Sequence, residues 1–327
     1  MHYRKLGHSE LNASVVAFGA WAIGGWKWGG TDAKAAVAAI GAAIDNGVNF
    51  IDTAAVYGFG VSESIVGNAI ADIPRDSVIV ATKCGLRWDK ETDYLHAESG
   101  GKKIFRTLSA DSINWEVEQS LQRLNTDYID LYQTHWPHES TPPAEVMDAL
   151  IELKRSGKIR SIGFCNASIN DLTVASGTGH LDVDQEKYSM LDRERDADNL
   201  PLCREQQLAF LAYSPMAQGL LTNKIDSNRV YQSDDLRIGN PRFSKNNVDA
   251  IKRLLEPVQD IANDKKANVE HVVLAWTLQQ AGVTHVLVGA RTPEQAISNA
   301  KAGSVSLSET ELDTISKVAG QWNGFAT

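Results

Sequence analysis

The sequence has few cysteines and no long apolar run. Its 327 residues include only Cys84, Cys165 and Cys203, and none of these forms a Cys-x-x-Cys pair. So low and odd a count argues against a disulfide framework or a structural zinc site, and we expect no bound metal. No stretch of about 18 apolar residues, the length of a transmembrane helix, is present. The first residues also lack the apolar core of a signal peptide, so we expect a cytoplasmic location and no membrane partner.

An excess of basic residues is also missing, since the net charge is −9 at pH 7. A diffuse acidic charge argues against nucleic acid or an anionic membrane as the main partner. Hydrophobic residues make up 43% of the chain and charged residues 22%, as in ordinary globular proteins. We expect a small-molecule ligand, a monomer or weak homo-oligomer, and a local basic site for any anionic ligand.

Short apolar segments alternate with helical ones along the whole chain. The predicted strands cover residues 15–19, 49–52, 77–83, 129–135, 159–165, 184–188, 208–213 and 285–289. Eight such strands with intervening helices are typical of a closed parallel (β/α)8 TIM barrel. A doubly wound sheet is the alternative, but no Gly-x-Gly-x-x-Gly follows the first strand. We therefore predict one barrel domain over residues 1–327, with an N-terminal β-hairpin within residues 3–14.

Helical patterns and long connections complete this organisation. The predicted helices cover residues 33–45, 62–71, 110–124, 143–155 and 292–301, with an extra helix over 269–281. Several begin at a good capping residue, such as Ser109. Two long segments, residues 85–108 and 214–246, follow the third and seventh strands. Both leave from the C-terminal edge, where barrels place their active sites, so we expect these long loops to be functional or mobile.

Polar side chains stand at the ends of three consecutive strands. Asp52 ends the second strand and Tyr57 follows it, Lys83 ends the third, and His135 ends the fourth. Because adjacent strands lie about 4.8 Å apart, these groups can converge. Each has a structural alternative when taken singly: a capping acid, a packed phenol, a solvated amine and a structural imidazole. Their joint position at one edge favours a catalytic site.

The chemistry of these four groups suits carbonyl reduction. Hydride attack builds negative charge on the carbonyl oxygen, and a positioned acid must protonate that oxygen. Tyr57 would be the acid, with Lys83 lowering its pKa from the usual value of about 10. Asp52 would pair with Lys83, since a buried lysine needs a partner. His135 would hydrogen-bond the carbonyl oxygen and orient it.

Longer motifs carry a resemblance to a known family. They are Asp52-Thr53-Ala54-x-x-Tyr57-Gly58, Ala81-Thr82-Lys83, Asp130-Leu131-Tyr132-x-x-His135-Trp136-Pro137, Ile162-Gly163-Phe164-Cys165-Asn166, Gln185-x-x-Tyr188-Ser189 and Ala212-Tyr213-Ser214-Pro215-Met216-x-x-Gly219-Leu220-Leu221. Over residues 1–320 the chain resembles the aldo-keto reductases, which are NAD(P)H-dependent (β/α)8 barrels. It resembles the bacterial-type branch near the potassium-channel β subunits and the general stress reductases.

The resemblance implies roles at the matching positions. The implied catalytic tetrad is Asp52, Tyr57, Lys83 and His135. The implied cofactor-binding residues are Ala20, Trp21, Asp52, Asn166, Gln185, Tyr213, Ser214, Met216, Gly219, Leu220, Gly289, Arg291, Thr292, Gln295 and Asn299. Among them, Asn166 and Gln185 would hydrogen-bond the nicotinamide carboxamide, and Tyr213 would stack on the nicotinamide ring. Residues 214–220 would contact the pyrophosphate, and residues 289–299 would hold the adenosine end.

The loop after the eighth strand bears on the choice of cofactor. A helix is predicted to begin at Thr292, and helix N-termini favour anions. Arg291 lies beside it with a planar fork suited to phosphate, which predicts a bound 2′-phosphate and NADPH rather than NADH. Family members often carry Lys where Gly289 stands and Arg where Gln295 stands, so phosphate binding would fall mainly to Arg291. They often carry Ser where Cys165 stands, which leaves one carboxamide contact open.

Aromatic residues are concentrated in or near the predicted C-terminal-edge loops. They are Trp21, Trp26, Trp28, Phe59, Trp88 and Trp136. Such side chains would form an apolar wall around an aldehyde. The predicted substrate-binding residues are Trp21, Tyr57, Trp88 and His135.

The sequence therefore predicts an NADPH-dependent reductase of aldehydes, and by extension ketones. A nicotinamide-binding regulatory or sensor subunit with little turnover is the alternative. That class would bring partner-binding appendages, and none is evident in the sequence. A metal-dependent barrel hydrolase needs clustered histidine and acidic ligands, and only His135 ends a predicted strand.

Overall fold

The computed structural model describes residues 1–326 and contains a closed barrel of eight parallel strands. In chain order the strands are β1 (Tyr3–Lys5), β2 (Asn12–Ser14), β3 (Val16–Gly19), β4 (Phe50–Asp52), β5 (Ile79–Cys84), β6 (Leu86–Arg87), β7 (Leu95–Ser99), β8 (Lys102–Arg106), β9 (Ile129–Thr134), β10 (Ile159–Cys165), β11 (Leu181–Lys187), β12 (Ala209–Tyr213) and β13 (Val283–Gly289). The barrel order is β3-β4-β5-β9-β10-β11-β12-β13, and β13 pairs with β3 to close it. The predicted (β/α)8 TIM barrel is confirmed.

Helices surround the barrel and separate its strands. They are α1 (Ala33–Asp45), α2 (Val61–Ile70), α3 (Ala110–Leu124), α4 (Pro143–Arg155), α5 (Ile169–Ser176), α6 (Asn199–Glu205), α7 (Lys245–Leu254), α8 (Glu256–Asp264), α9 (Val269–Leu278), α10 (Pro293–Ala302) and α11 (Glu309–Gly320). The caps expected from the sequence are present, since Ser109 accepts from the Ser112 N–H and Thr292 accepts from the Gln295 N–H. Across residues 1–326, no helix combines the length and apolar character that a bilayer crossing demands.

The N-terminal hairpin, β1 with β2, closes one end of the barrel. Leu6 and Leu11 lie in the turn between these strands and are buried. They belong to the same apolar cluster as Phe50 and Ile79, the first residues of β4 and β5. The hairpin therefore fills the N-terminal end, and the opposite, C-terminal end is left for ligands.

The two long insertions contain more structure than the sequence indicated. Residues 85–108 were expected to be a long loop, but β6, β8 and β7 form a three-stranded antiparallel sheet there. The strands are short and carry charged residues, so the local sequence gives little sign that they pair. Residues 214–246 contain two short 3-10 segments, Ala217–Thr222 and Pro241–Phe243. Both insertions leave from the C-terminal edge, as predicted.

Candidate active site

Three neighbouring strands bring the predicted catalytic groups together. Asp52 is the last residue of β4, Lys83 lies near the end of β5, and His135 directly follows β9. These strands are adjacent in the barrel, with Asp52 paired to Ala81 and Lys83 paired to Gln133. The polar groups converge at the C-terminal edge because parallel strands end at the same side of the sheet.

Asp52 and Lys83 form a buried ion pair. The Lys83 Nζ lies 2.9 Å and 2.8 Å from the two Asp52 carboxylate oxygens and also donates to the Thr53 carbonyl at 2.8 Å. The Lys83 side chain has no solvent exposure and that of Asp52 has 4%. Because all three ammonium hydrogens have acceptors, the lysine is fixed in one orientation.

Two buried glutamines complete the surroundings of Asp52. Gln185 Nε2 donates to Asp52 Oδ1 at 2.9 Å, and Gln133 Nε2 approaches the same oxygen at 3.3 Å. Gln185 Nε2 also lies 3.2 Å from Gln133 Oε1. Sequence reasoning missed Gln133, although a polar residue within the apolar strand β9 was a usable signal. The glutamines reduce the cost of burying the carboxylate by donating hydrogen bonds to it.

Tyr57 lies over this ion pair. The Lys83 Nζ is 5.2 Å from the centre of the phenol ring, and the His135 ring is edge-on to Tyr57 at 5.7 Å between centroids. Burial raises the pKa of Tyr57 well above its usual value, with the Asp52 carboxylate and Cys165 adding to the rise. This is opposite to the lowering expected from Lys83, because burial, together with the negative charge of Asp52, disfavours the phenolate. Tyr57 is therefore held in the protonated form that a proton donor needs.

His135 is a neutral imidazole. Burial lowers its pKa well below the usual range, and the positive charges of Lys83 and Arg106 and the His96 ring act in the same direction. Its backbone is fixed on both sides, since its N–H donates to the Cys84 carbonyl and its carbonyl accepts from Asn166 Nδ2 at 3.0 Å. A neutral imidazole can donate one N–H to a carbonyl oxygen without carrying charge.

A cavity of about 540 Å³ extends from Tyr57 to the start of α10. Its volume lies in the usual range for ligand sites. Most predicted cofactor residues line it: Ala20, Trp21, Asp52, Tyr213, Ser214, Met216, Gly219, Gly289, Arg291, Thr292, Gln295 and Asn299. Leu220 does not line this cavity and is buried in the apolar cluster behind it. The N-terminal N–H groups of α10 and the basic side chains Lys224 and Arg291 suit an anionic nucleotide.

Asn166 and Gln185, the predicted carboxamide ligands, line a second cavity beside Tyr57. The amide hydrogens of Asn166 are used by the His135 carbonyl and by Cys165 Sγ, and its oxygen accepts from the Tyr213 hydroxyl at 2.7 Å. An amide oxygen has two lone pairs, so Asn166 can still accept from a carboxamide N–H. The same bond holds the Tyr213 ring at the junction of the two cavities. These residues therefore fit a nicotinamide.

Arg291 contacts a neighbouring loop. Its guanidinium donates to the Trp28 and Gly30 carbonyls, both at 2.8 Å. Its backbone N–H donates to Gln295 Oε1 at 2.8 Å. A guanidinium has five N–H donors, so three of them stay free for a phosphate. Arg291 thus joins residues 28–30 to the predicted adenosine end.

The second cavity has a volume of about 300 Å³ and meets the first at Trp21, Tyr57 and Tyr213. Tyr57 and His135 line it together with Trp26 and Trp136. This arrangement places an apolar chamber beside the candidate proton donor.

Trp88, expected at this chamber, is not among its lining residues. The ring packs edge-on against Phe59, with 5.6 Å between centroids. The insert sheet turns Trp88 toward α3, where Arg123 lies 5.9 Å from its ring. The other predicted substrate residues, Trp21, Tyr57 and His135, all line the chamber.

A tight backbone contact sets the position of Tyr57. Gly58 has φ +66°, and a methyl group there would collide with the Gly24 carbonyl oxygen. Gly58→Ala should lower the free energy of unfolding for two reasons. Alanine is strained in the left-handed backbone conformation. We expect the collision with Gly24 to add about 1 kcal/mol or more to that cost. Urea unfolding measures the loss. Gly100→Ala is the matched control, since Gly100 has φ +57° and nothing within 4 Å. Equal losses in the two variants would show that the contact contributes nothing.

The candidate proton donor lies where a nucleotide-sized cavity meets a smaller apolar one, as hydride transfer to a carbonyl requires. Within residues 1–326, no group of three or more His, Cys, Asp or Glu side chains could hold a metal ion. A site of this kind defines an oxidoreductase that works with a nicotinamide cofactor and a small-molecule substrate.

Similarity to known proteins supports the same class of enzyme. The sequence model described as "Aldo/keto reductase family" matches residues 15–319, and the chain belongs to that family. It is 39% identical to the NADH-specific methylglyoxal reductase of Escherichia coli K12, over 96% of this chain and 97% of that protein. It is 30% identical to a probable voltage-gated potassium channel subunit beta of Arabidopsis thaliana, over 97% and 96% of the two chains.

A solved structure shares the architecture. The glycerol dehydrogenase AKR11B4 from Gluconobacter oxydans superposes with a TM-score of 0.88 at 35% identity, over 99% of this chain and 97% of that one. The family expected from the motifs, and its branch with bacterial reductases and channel subunits, are confirmed.

Proposed function

We propose that the protein reduces small aldehydes, and by extension ketones, to alcohols with Tyr57 as the proton donor. The observation that carries this proposal is the Lys83–Asp52 ion pair beneath the Tyr57 ring, at the junction of the two cavities. The bound nicotinamide cofactor supplies the hydride. Every other task in the reaction falls to side chains of this chain.

Four side chains orient the substrate carbonyl and transfer the proton. His135 donates an N–H to the substrate carbonyl oxygen and orients it toward Tyr57. The Tyr57 hydroxyl gives its proton to that oxygen as negative charge develops there. The Lys83 ammonium stabilises the phenolate that is left, and Asp52 holds the ammonium in place. The apolar walls keep water away, which strengthens each of these interactions.

The basic test is an assay of cofactor oxidation at 340 nm with the purified protein and a panel of aldehydes. We expect turnover of several short aldehydes with values of kcat in the range usual for enzymes, about 1–1000 per second. A protein that binds the cofactor tightly and turns over no aldehyde would contradict the proposal. That result would instead favour a nicotinamide-sensing regulatory subunit, the class suggested by the similarity to a channel subunit beta.

The preference between NADPH and NADH rests on Arg291. Its free N–H groups beside the start of α10 favour a 2′-phosphate, and on this ground we propose NADPH as the preferred cofactor. The Escherichia coli relative is named NADH-specific, which points the other way. The hydrogen bonds from Arg291 to two carbonyl groups also weaken its interaction with a phosphate. We therefore propose a modest preference for NADPH, with measurable use of NADH.

We expect Arg291→Ala to lower kcat/KM for NADPH by about tenfold and to leave that for NADH within about twofold. The physical reason is that only NADPH presents the 2′-phosphate to the guanidinium. Steady-state kinetics with both cofactors measure the ratio. Lys301→Ala, which removes an exposed cation later in α10, serves as the control. If the ratio of kcat/KM for NADPH to kcat/KM for NADH were unchanged in Arg291→Ala, Arg291 would not bind the 2′-phosphate.

A further inference from the structure

The mostly apolar lining of the substrate chamber includes basic side chains and no acidic one, in an otherwise acidic protein. Lys27 and His96 line it, and none of its lining residues is an aspartate or a glutamate. Arg106 lies directly behind His96. None of the ion pairs found within residues 1–326 uses Lys27 or Arg106. The net charge of the chain is −9, so these two uncompensated cations make a local exception.

Arg106 fixes the tautomer of His96. The Arg106 Nε–H donates to His96 Nδ1 at 2.9 Å, so the imidazole proton is on Nε2. The guanidinium is itself held, since Nη1 donates to the Pro137 carbonyl at 3.1 Å and the group lies 5.0 Å from the Trp136 ring centre. Burial, followed by the charges of Arg106 and Lys27, lowers the pKa of His96 to about 4. His96 is therefore a fixed neutral donor at physiological pH.

The segment around Lys27 is held by both insertions. Its carbonyl accepts from the Leu236 N–H at 3.0 Å. The neighbouring Trp26 Nε1 donates to Ser99 Oγ at 3.0 Å. The Lys27 ammonium lies 4.8 Å from the centre of the Trp26 ring, on the chamber wall. A lysine in this position presents its charge to the chamber from a supported loop.

We propose that the chamber contains a subsite for a carboxylate, formed by His96 and Lys27, and that the preferred substrates are short aldehydes with a distal carboxylate. This inference rests on the proposed function and specifies its substrate class. The carbonyl end lies at Tyr57 and His135, and the carboxylate accepts from His96 Nε2 and pairs with Lys27. Arg106 is a positioning residue that holds His96 in the donor tautomer. The volume of about 300 Å³ suits a molecule of a few carbon atoms.

The experiment compares 4-oxobutanoate with butanal, which has the same carbon chain without the carboxylate. We expect kcat/KM for 4-oxobutanoate to exceed that for butanal by about tenfold to a hundredfold, mainly through KM. His96→Phe keeps a ring against Trp136 but removes the donor, and Lys27→Gln removes the charge. Each is expected to lower the 4-oxobutanoate/butanal ratio about tenfold, and the ratio corrects for any change in turnover that the two substrates share. His96→Gln, which retains an N–H donor, is expected to restore part of the ratio.

Lys103→Gln is the matched control, because Lys103 is an exposed lysine of the same insert sheet. It should leave the ratio unchanged. Added salt should raise KM for 4-oxobutanoate and not for butanal, since it screens the charge interaction. Equal kcat/KM values for the two substrates in the unmodified protein, or an unchanged ratio in both chamber variants, would overturn the subsite while butanal turnover still supports the reductase. Absence of turnover with every aldehyde would overturn the reductase and the subsite together.

Discussion

Tyr57→Phe is expected to lower kcat for aldehyde reduction by about 10²–10⁴-fold. The substitution removes the hydroxyl that protonates the carbonyl oxygen and keeps the ring that packs between Trp21 and His135. Because the proton is needed only in the transition state, kcat and kcat/KM should fall by the same factor. Cofactor binding, followed by quenching of tryptophan fluorescence, should change little. The 340 nm assay gives the kinetic constants.

Tyr128→Phe is the control for this variant. Tyr128 precedes β9 at the opposite end of the barrel, where its ring packs against Arg75 at 4.1 Å. Loss of its hydroxyl should leave kcat within about twofold, as for most changes away from the site. Full activity in Tyr57→Phe would mean that another group supplies the proton, and the mechanism given above would be wrong.

Lys83→Met should abolish measurable reduction while leaving cofactor binding largely intact. The variant loses the charge that stabilises the Tyr57 phenolate, and it leaves the buried Asp52 carboxylate without its cation. Removal of one partner from a buried ion pair costs about 3–5 kcal/mol of stability. The hydrogen bonds from Gln133 and Gln185 to Asp52 should keep the loss toward the lower end of that range. Urea unfolding and fluorescence titration measure the two properties separately.

The double variant Asp52→Asn with Lys83→Met separates catalysis from folding. It removes both charges, so part of the lost stability should return while reduction stays absent. If activity returned with stability, the single variant would have failed only because it was poorly folded. If Lys83→Met lost cofactor binding as completely as it lost activity, Lys83 would be a cofactor ligand rather than part of the proton-donating system.

Much of the barrel could be read from local sequence. The helices α1, α3 and α4 and the strand β10 begin and end where the pattern predicts. These segments carry strong periodicity and clear end signals, such as the cap at Ser109. The insert sheet β6-β8-β7 was missed because short polar strands are stabilised by partners distant in sequence and by tertiary packing.

In the candidate active site, too, some residues could be predicted from the local sequence and others could not. Asp52, Lys83 and His135 stand out because each interrupts or ends an apolar strand, and adjacent strands must end at the same edge. Gln133 gave a similar but weaker signal, since nothing in the sequence pairs it with Asp52. The direction of the Tyr57 pKa shift could not be predicted from the sequence, because it is decided by burial and by the nearby Asp52 carboxylate.

By itself, the sequence determined the barrel, the family and the four groups proposed to carry out the chemistry, because strand ends and motif spacing are local properties. Only the tertiary structure decided the lining of the substrate chamber. Trp88 packs against Phe59 and does not line it, while the insert sheet supplies His96, held by Arg106, to the same lining as Lys27. These residues meet through the folding of two insertions and a short loop, and their contacts depend on long-range packing that no local pattern encodes.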